Sequence, residues 1–360
     1  MSINDKFRVT FTADFFEEDG QPKFKDYGLN VLEEFPMIEV SRFDTHLPEI
    51  TPEQIGEAQG VIVLTPRATT HTLSKSQNLL AISRFGVGYD NVDVEACTQA
   101  DVLATITRGA VDRPVAEATV GWMIALTHHI LAKDRLLREG RWDDRTQYMG
   151  TELRDRTLGV IGFGGIGSAT VKLLSGFGMN QPLVFDPYLD DVVAAACNVQ
   201  KVNLETLLAE ADFVSINCPL NNETQNLIGN RELTLMKPTA YLINTARGGI
   251  VNEQALFTAL SEQRIRGAAL DCFDDEPITS PHPFGTLDNV LLAPHSIAWT
   301  HELFRDIGQL ACQTMVDLAQ GRRPHGVINP EVFDRPLFQE KWERLKVSAK
   351  PSLQSVKVSD

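Results

Sequence analysis

The chain has 360 residues, which suits two domains of ordinary size, and its 43% hydrophobic content supplies cores and argues against disorder. A net charge of −15 argues against nucleic acid or an anionic membrane surface as a general partner. The five cysteines, at positions 97, 197, 218, 272 and 312, are odd in number and form no C-x-x-C, so reduced thiols in a cytoplasmic protein are expected, and no metal site. The N-terminal MSINDKFRVTF lacks the basic and apolar regions of a secretory signal, and no apolar run reaches membrane-spanning length.

Phe7 to Thr12 alternates and reads as a strand, Tyr27 to Glu34 as a helix and Met37 to Val40 as a short strand. Gly60 to Leu64, Leu79 to Ser83 and Val102 to Ile106 are continuous apolar runs, as buried parallel strands are, with helices between them, including Asn91 to Ala100. A small α/β domain with a parallel sheet follows. Within it, Arg84-Phe85-Gly86-Val87-Gly88 follows a strand directly. Glycines there let backbone N–H groups face an anion of carboxylate size. The plain alternative is a βα turn, with Asp90 or Asn91 capping the next helix.

Pro114 to Leu137 reads as one long helix with Pro114 in its first turn, and Val115 to Leu131 is apolar around most of its face. Such a helix must be buried, between domains or between subunits. His128 and His129 read as packed or interface residues, since no partner ligands flank them.

Thr157 to Ile161 is a short apolar strand. It is followed by Gly162-Phe163-Gly164-Gly165-Ile166-Gly167, which has the spacing G-x-G-x-x-G, and then by a helical pattern. The first glycine permits a tight turn, the second admits a pyrophosphate and the third lets helix and strand pack closely. Leu183 to Phe185 forms the next strand and ends in Asp186, placed to hold a ribose hydroxyl. A carboxylate there repels a 2′-phosphate, and no Arg or Lys occurs from Pro187 to Val199, so the cofactor reads as NAD rather than NADP.

The βα rhythm resumes with a helix at Leu204 to Glu210 and a strand at Phe213 to Asn217, which runs into Cys218-Pro219. The next strand, Ala240 to Asn244, runs into Thr245-Ala246-Arg247, and Asn252 caps a helix beginning near Glu253. Gly267 to Leu270 precedes Asp271, and Val290 to Leu292 precedes Ala293-Pro294-His295. In an open parallel sheet, ligands bind outside the carboxyl ends of strands. Gly164, Asp186, Cys218, Arg247, Asp271 and His295 all follow strands, so all suit one crevice.

An Arg, a Glu and a His at one crevice suit hydride transfer to a 2-oxo acid. Arg247 can hold a carboxylate with two parallel hydrogen bonds and polarise the carbonyl. His295 can give and take the carbonyl proton, and Glu276 can fix the imidazole tautomer. Each has a plain reading alone: Arg247 as a surface ion pair, Glu276 as a solvated loop acid, His295 as a capping group.

The chain resembles the D-isomer-specific 2-hydroxyacid dehydrogenases, most nearly the phosphoglycerate dehydrogenase branch. The matching stretches are RFGVGYDNVD at 84–93, MGTEL at 149–153, GVIGFGGIG at 159–167, INTARGGIV at 243–251, ALDCFDDEP at 269–277 and LAPHSIA at 292–298. The resemblance covers roughly residues 55 to 330. It implies Arg247, Glu276 and His295 as the catalytic trio. It implies NAD contacts at Gly162, Gly164, Gly165, Ile166, Gly167, Asp186, Cys218, Pro219, Thr245, Ala246, Arg247, Asp271 and the His295–Ala298 turn. It also implies that Val87 and Gly88 bind the substrate carboxylate through their backbone. The implied fold is α/β, with two Rossmann-like doubly wound parallel-sheet domains and a cleft between them. Residues 1–110 and 300–335 make the substrate-binding domain, 111–299 the NAD-binding domain and 336–360 a tail, with a homodimer formed through the 114–137 region.

Ile297 and Trp299 stand where relatives often carry smaller residues, which narrows the pocket. No stretch after the core matches the regulatory domain of some phosphoglycerate dehydrogenases. The tail, with Phe338 to Leu345, is expected to hold a short amphipathic segment and then a disordered end. Arg67, Arg84 and Arg108 lie at or just after strands of the first domain and suit a substrate with a second anionic group; the alternative is pairing with local acids. Two rival readings on this scaffold are a phosphonate dehydrogenase-like enzyme and an NAD-sensing scaffold resembling the corepressor C-terminal binding proteins.

Overall fold

Among the described residues, 6–347 of the computed structural model, twelve short strands pair in parallel into two sheets. Each sheet belongs to its own compact unit. One unit is formed by the chain up to Val111 and from Thr300 on, the other by Asp112–Trp299.

In the first unit, β1 (Phe7–Phe11), β2 (Ile38–Arg42), β3 (Gly60–Val63), β4 (Ala81–Arg84) and β5 (Leu103–Ile106) lie in the order β2-β1-β3-β4-β5. Every residue of β3 and β5 is buried, which is why both read as unbroken apolar runs. A Cβ at Gly60 would overlap the Met315 sulfur, so the helix His301–Ala319 packs directly on β3. The chain then returns to the far edge of the sheet. Ile106 N–H donates to Gly326 O (2.9 Å), Ile328 N–H to Ala104 O (2.9 Å), and Ala104 N–H to the Asn329 side chain (2.8 Å).

The amphipathic segment expected in the tail is a helix, Pro336–Leu345. It is packed on this unit rather than set apart. Phe338 is fully buried beside Phe333 and Trp342, and Trp342 Nε1 donates to Leu318 O at 2.8 Å. Lys341 is buried too; burial pulls its ammonium down to about 8, and its Nζ donates to Asp101 O at 2.6 Å. The expected disordered end, from residue 348 on, lies outside the described residues.

In the second unit, β6 (Leu158–Ile161), β7 (Leu183–Phe185), β8 (Gln200–Lys201), β9 (Phe213–Ile216), β10 (Tyr241–Asn244), β11 (Gly267–Leu270) and β12 (Val290–Leu292) lie in the order β12-β11-β10-β9-β6-β7-β8. The order reverses between β6 and β9, the place where open α/β sheets take their ligands. Side chains alternate across the sheet: Leu242 enters one core with Val214 and Ala268, while Tyr241 and Ile243 enter the other with Val160 and Ala269.

The single helix expected over 114–137 is two helices, Asp112–Thr127 and Ile130–Arg138. His129 sits in the left-handed region (φ 53°), which breaks the backbone ladder. The first helix buries Ala116, Trp122, Met123 and Leu126. The second leaves Ile130, Leu131 and Leu137 exposed, so the all-round burial expected up to Leu131 stops at the break. Burial and nearby cationic side chains pull the His129 imidazole below its ordinary range.

Candidate active site

The glycine turn is built by the protein's own close packing. Gly162 has φ 88°, and its N–H donates to Phe185 O at 2.9 Å. A Cβ there would lie 2.7 Å from Cys218 N, where the loop after β9 crosses it. Gly167, in the first turn of the helix Gly165–Leu174, rests on the Gly162 carbonyl and leaves only 3.0 Å between a would-be Cβ and Val160 Cγ1. Gly164 differs. It has no protein atom within 4 Å of its Cβ position, and it precedes the first-turn N–H groups of Gly165, Ile166 and Gly167, which no helical carbonyl can reach. The space over Gly164 and the donors behind it form an anion cradle at a helix N-terminus.

Asp186 ends β7 and faces this turn. Its Oδ2 accepts from Phe163 N–H (2.7 Å) and its Oδ1 from Tyr188 N–H (2.8 Å). Each oxygen keeps a second lone pair for a hydroxyl. Cys218 is half-buried and burial pushes its thiol up to about 11, so it is a packing residue there; the Pro219 carbonyl accepts from Thr224 Oγ1 at 2.6 Å. After β10, Asn244 shapes the next loop: its side chain accepts from Ala246 N–H (3.0 Å) and donates to Arg247 O (2.8 Å). Thr245 Oγ1 is buried with no protein partner among the described residues. That orphaned hydroxyl, the open cradle at Gly164 and the acid at Asp186 fit a dinucleotide.

The chemistry-bearing groups cluster on the loops after β10, β11 and β12. A Cβ at Gly248 would overlap the Phe273 carbonyl, and Gly249 N–H donates to the Asp274 side chain at 2.7 Å, so the Arg247 loop is fastened to the Asp271–Glu276 loop. Arg247 Nη1 donates to Ala246 O at 2.6 Å. Glu276 Oε1 accepts from Phe273 N–H (2.9 Å), and its Oε2 lies 2.7 Å from His295 Nδ1. Burial opposes charge on Glu276, yet the His295 hydrogen bond and charge, the Phe273 N–H and the Arg247 charge outweigh it and hold the carboxyl below its ordinary range. The carboxylate is therefore the acceptor and His295 Nδ1 the donor, which leaves Nε2 to exchange a proton. His295 is itself left-handed (φ 51°). Asp271 fixes the following turn by accepting from Ser296 N–H (2.8 Å) and Ile297 N–H (3.1 Å). Burial raises its carboxyl to about 6. Ala298 is nearly buried, Ile297 packs on the core, and Trp299 stays 56% exposed.

In the first unit, Val87 and Gly88 are half-buried, and their N–H groups find no acceptor among the described residues. The Arg84 guanidinium lies against Gly86, within 3.0 Å of its Cβ position. Arg108 is exposed in the turn after β5. Arg67 is exposed and stands 3.5 Å from Glu49. Neither Asp90 nor Asn91 caps the next helix: the cap is Asp93, accepting from Ala96 N–H at 2.9 Å, while the Asn91 side chain donates to Pro66 O.

Residues 120–296 match the family described as D-isomer specific 2-hydroxyacid dehydrogenase, NAD binding domain. A glyoxylate reductase of Thermofilum pendens is 39% identical over 284 residues, covering 78% of this chain and 84% of the relative. The chain belongs to the D-isomer specific 2-hydroxyacid dehydrogenase family. A D-3-phosphoglycerate dehydrogenase of Methanocaldococcus jannaschii is 37% identical over 320 residues, 88% of this dehydrogenase chain and 59% of that relative. Among solved structures, an acyclic imino acid reductase (Bsp5) in complex with NADPH and D-Arg superposes with a TM-score of 0.77 at 25% identity, covering 89% of this chain and all of that one. The family is one of NAD-dependent oxidoreductases acting on 2-hydroxy and 2-oxo acids, and two relatives of different substrate match almost equally well.

Two features of the dehydrogenase site escape the sequence reading. The Asp112 carboxylate lies over Gly165, and burial raises its pKa; it stands 50 residues before the glycine turn, and nothing in that spacing announces it. Cys272, set aside with the scattered thiols, places its sulfur beside Glu276 and His295.

Proposed function

We propose that the chain interconverts a D-2-hydroxy acid and its 2-oxo acid through Arg247, Glu276 and His295, with NAD held by the second unit. The 2.7 Å contact between Glu276 and His295 Nδ1, with the Arg247 charge acting on the same carboxylate, carries this reading. When bound, the cofactor would supply the hydride as NADH in reduction and receive it as NAD in oxidation. Arg247 holds the substrate carboxylate and draws charge toward the carbonyl oxygen. His295 Nε2 gives that oxygen a proton in reduction and removes it in oxidation, while Glu276 keeps Nδ1 protonated and the ring oriented. The backbone N–H groups of Val87 and Gly88 supply the second hold on the substrate carboxylate. Gly162, Gly164 to Gly167, Asp186, Cys218, Pro219, Thr245, Ala246, Asp271 and Ala298 line the cofactor. NAD is favoured over NADP by Asp186 and by Lys201, the first basic residue after it, whose Nζ is 2.5 Å from Leu189 O.

The substrate in this reading has a second anionic group, met by Arg84 and Arg108. The Glu49 contact of Arg67 supports simple pairing there. A homodimer through the 114–137 region is supported by the exposed Leu131 and Leu137, and by the exposed Trp142 and Met149 that follow in the chain. No helix among the described residues is long and apolar enough to cross a membrane, and none of the five cysteines is in a disulfide, which fits a cytoplasmic enzyme.

The test is NADH oxidation against glyoxylate, hydroxypyruvate, phosphohydroxypyruvate, 2-oxoglutarate and sulfopyruvate, with His295→Ala beside the unaltered protein. Turnover lost in the variant is expected. NADH binding with no turnover of any 2-oxo acid would count against the assignment.

A further inference from the structure

We propose that the acid–base centre doubles as an inhibitory site for a borderline-soft divalent cation, with zinc as the representative ion. One ligand atom each of Cys272, Glu276 and His295 lies within 4.8 Å of the other two. Glu276 Oε2 and His295 Nδ1 are already 2.7 Å apart. Zinc bound tetrahedrally to thiolate, imidazole and carboxylate spaces its donors about 3.3–3.6 Å from one another. The three side chains therefore close on an ion by shifts of about 1 Å. Cys272 is 4% exposed, while the side chains of His295 and Glu276 are 44% and 32% exposed, so the sulfur forms the floor of the site and the other two its rim. Three protein donors leave a fourth position for water. The donor set excludes magnesium and calcium, which take oxygen ligands, and suits zinc or cadmium.

Binding releases the Cys272 thiol proton to solvent; His295 loses a proton only where it starts as the imidazolium, and a neutral ring keeps its one proton on the nitrogen away from the ion. A cation on either ring nitrogen removes the imidazolium form of His295. It also takes Glu276 away from the ring. The binding itself follows from the cluster alone; the inhibition rests on the catalytic roles assigned above.

Binding and inhibition are read separately. Cobalt(II) titrated into the full chain should give a near-ultraviolet thiolate-to-cobalt charge-transfer band at one equivalent. Zinc should displace the band, and magnesium should not produce it. Cys272→Val should abolish the band, and His295→Asn should weaken cobalt binding by more than about tenfold, a loss that even outer-shell partners of a metal cause. Cys272→Ser, close in size to the native residue, and NADH binding by each variant show that the fold is kept. In the NADH oxidation assay, zinc should inhibit the unaltered enzyme, while Cys272→Val, measured against its own zinc-free rate, should need more than about tenfold more zinc for the same fractional inhibition. Absence of the band, or its persistence in Cys272→Val, overturns the site whether or not a substrate has been found. Equal zinc inhibition of both proteins overturns the inhibitory role.

Discussion

Gly164 and Gly167 stand three residues apart in one turn, and a methyl group added at each should act in opposite ways. At Gly167 the new Cβ would collide with the Gly162 carbonyl and lie 3.0 Å from Val160 Cγ1. Neither neighbour is a flexible side-chain end, so strand and helix must part. Overpacking of this kind costs about 2 kcal/mol. For a unit of this size that is a fall of about 6 °C in Tm. At Gly164 the new Cβ meets nothing within 4 Å, and φ is −80°, so an L-residue fits without strain. The stability cost is confined to the exchange of Gly for Ala at a helix N-cap, about 1 kcal/mol or less. The methyl instead fills the space left for the pyrophosphate, and NADH Kd should rise about tenfold or more, at least about 1.4 kcal/mol. Calorimetry gives Tm and quenching of NADH fluorescence gives Kd. Gly164→Ala should lose affinity with little change in Tm, and Gly167→Ala should lose both. Unchanged NADH affinity in a stable Gly164→Ala protein would refute the cradle.

Further perturbations test other links. Burial raises the Asp271 carboxyl from 3.8 to about 6, so the stability linked to its proton is complete below about pH 4 and lost as pH rises through 6. Asp271→Asn keeps an acceptor for Ser296 and Ile297 and removes that loss, so its unfolding free energy from denaturant titration should gain on the unaltered protein between pH 4 and 7, by at most about 3 kcal/mol. The depressed Glu276 carboxyl works the other way: its stabilisation is present above its ordinary value and lost as pH falls through the folded value. Denaturant titrations of Glu276→Gln and the unaltered protein should thus differ at pH 7 and converge in acid. Arg84→Ala should lower kcat/KM for the best substrate tenfold or more, whereas Arg67→Ala, which opens only an exposed pair with Glu49, should leave it within twofold. Trp142→Glu with Met149→Glu should reduce the mass measured by light scattering from dimer to monomer.

The parts of the site legible in the sequence are those where a strand end and a chemically distinctive residue coincide. β11 and β12 stand where expected because each is a short apolar run stopped by Asp271 or by Ala293-Pro294-His295. Asn252 caps its helix as read, through Ala255 N–H. β8 was invisible: it is two exposed residues, Gln200 and Lys201, defined by a neighbour's carbonyls and not by a pattern of their own. The break at His129 was hidden because a left-handed residue leaves apolar spacing intact on either side. The helix His301–Ala319 is missing from the chain-order expectations although Thr300 and the spacing of Leu303, Phe304, Ile307 and Ala311 announce it. Asp112 and Cys272 belong to a different class. Only the folded chain brings Asp112 to Gly165, and no local spacing shows which of five scattered thiols will face a histidine.

The return of the chain to β5 sets an order of assembly during synthesis. Asp112–Trp299 is continuous and holds all seven of its strands before the remainder is made. The edge strand Leu103–Ile106 must wait for Gly326, Ile328 and Asn329. That is a delay of 220 residues, about 10–40 s at ordinary elongation rates. Through this interval the first sheet carries an unpaired edge and lacks the helix that covers Gly60, so the nascent first unit is the part of the chain that a ribosome-associated chaperone would find open.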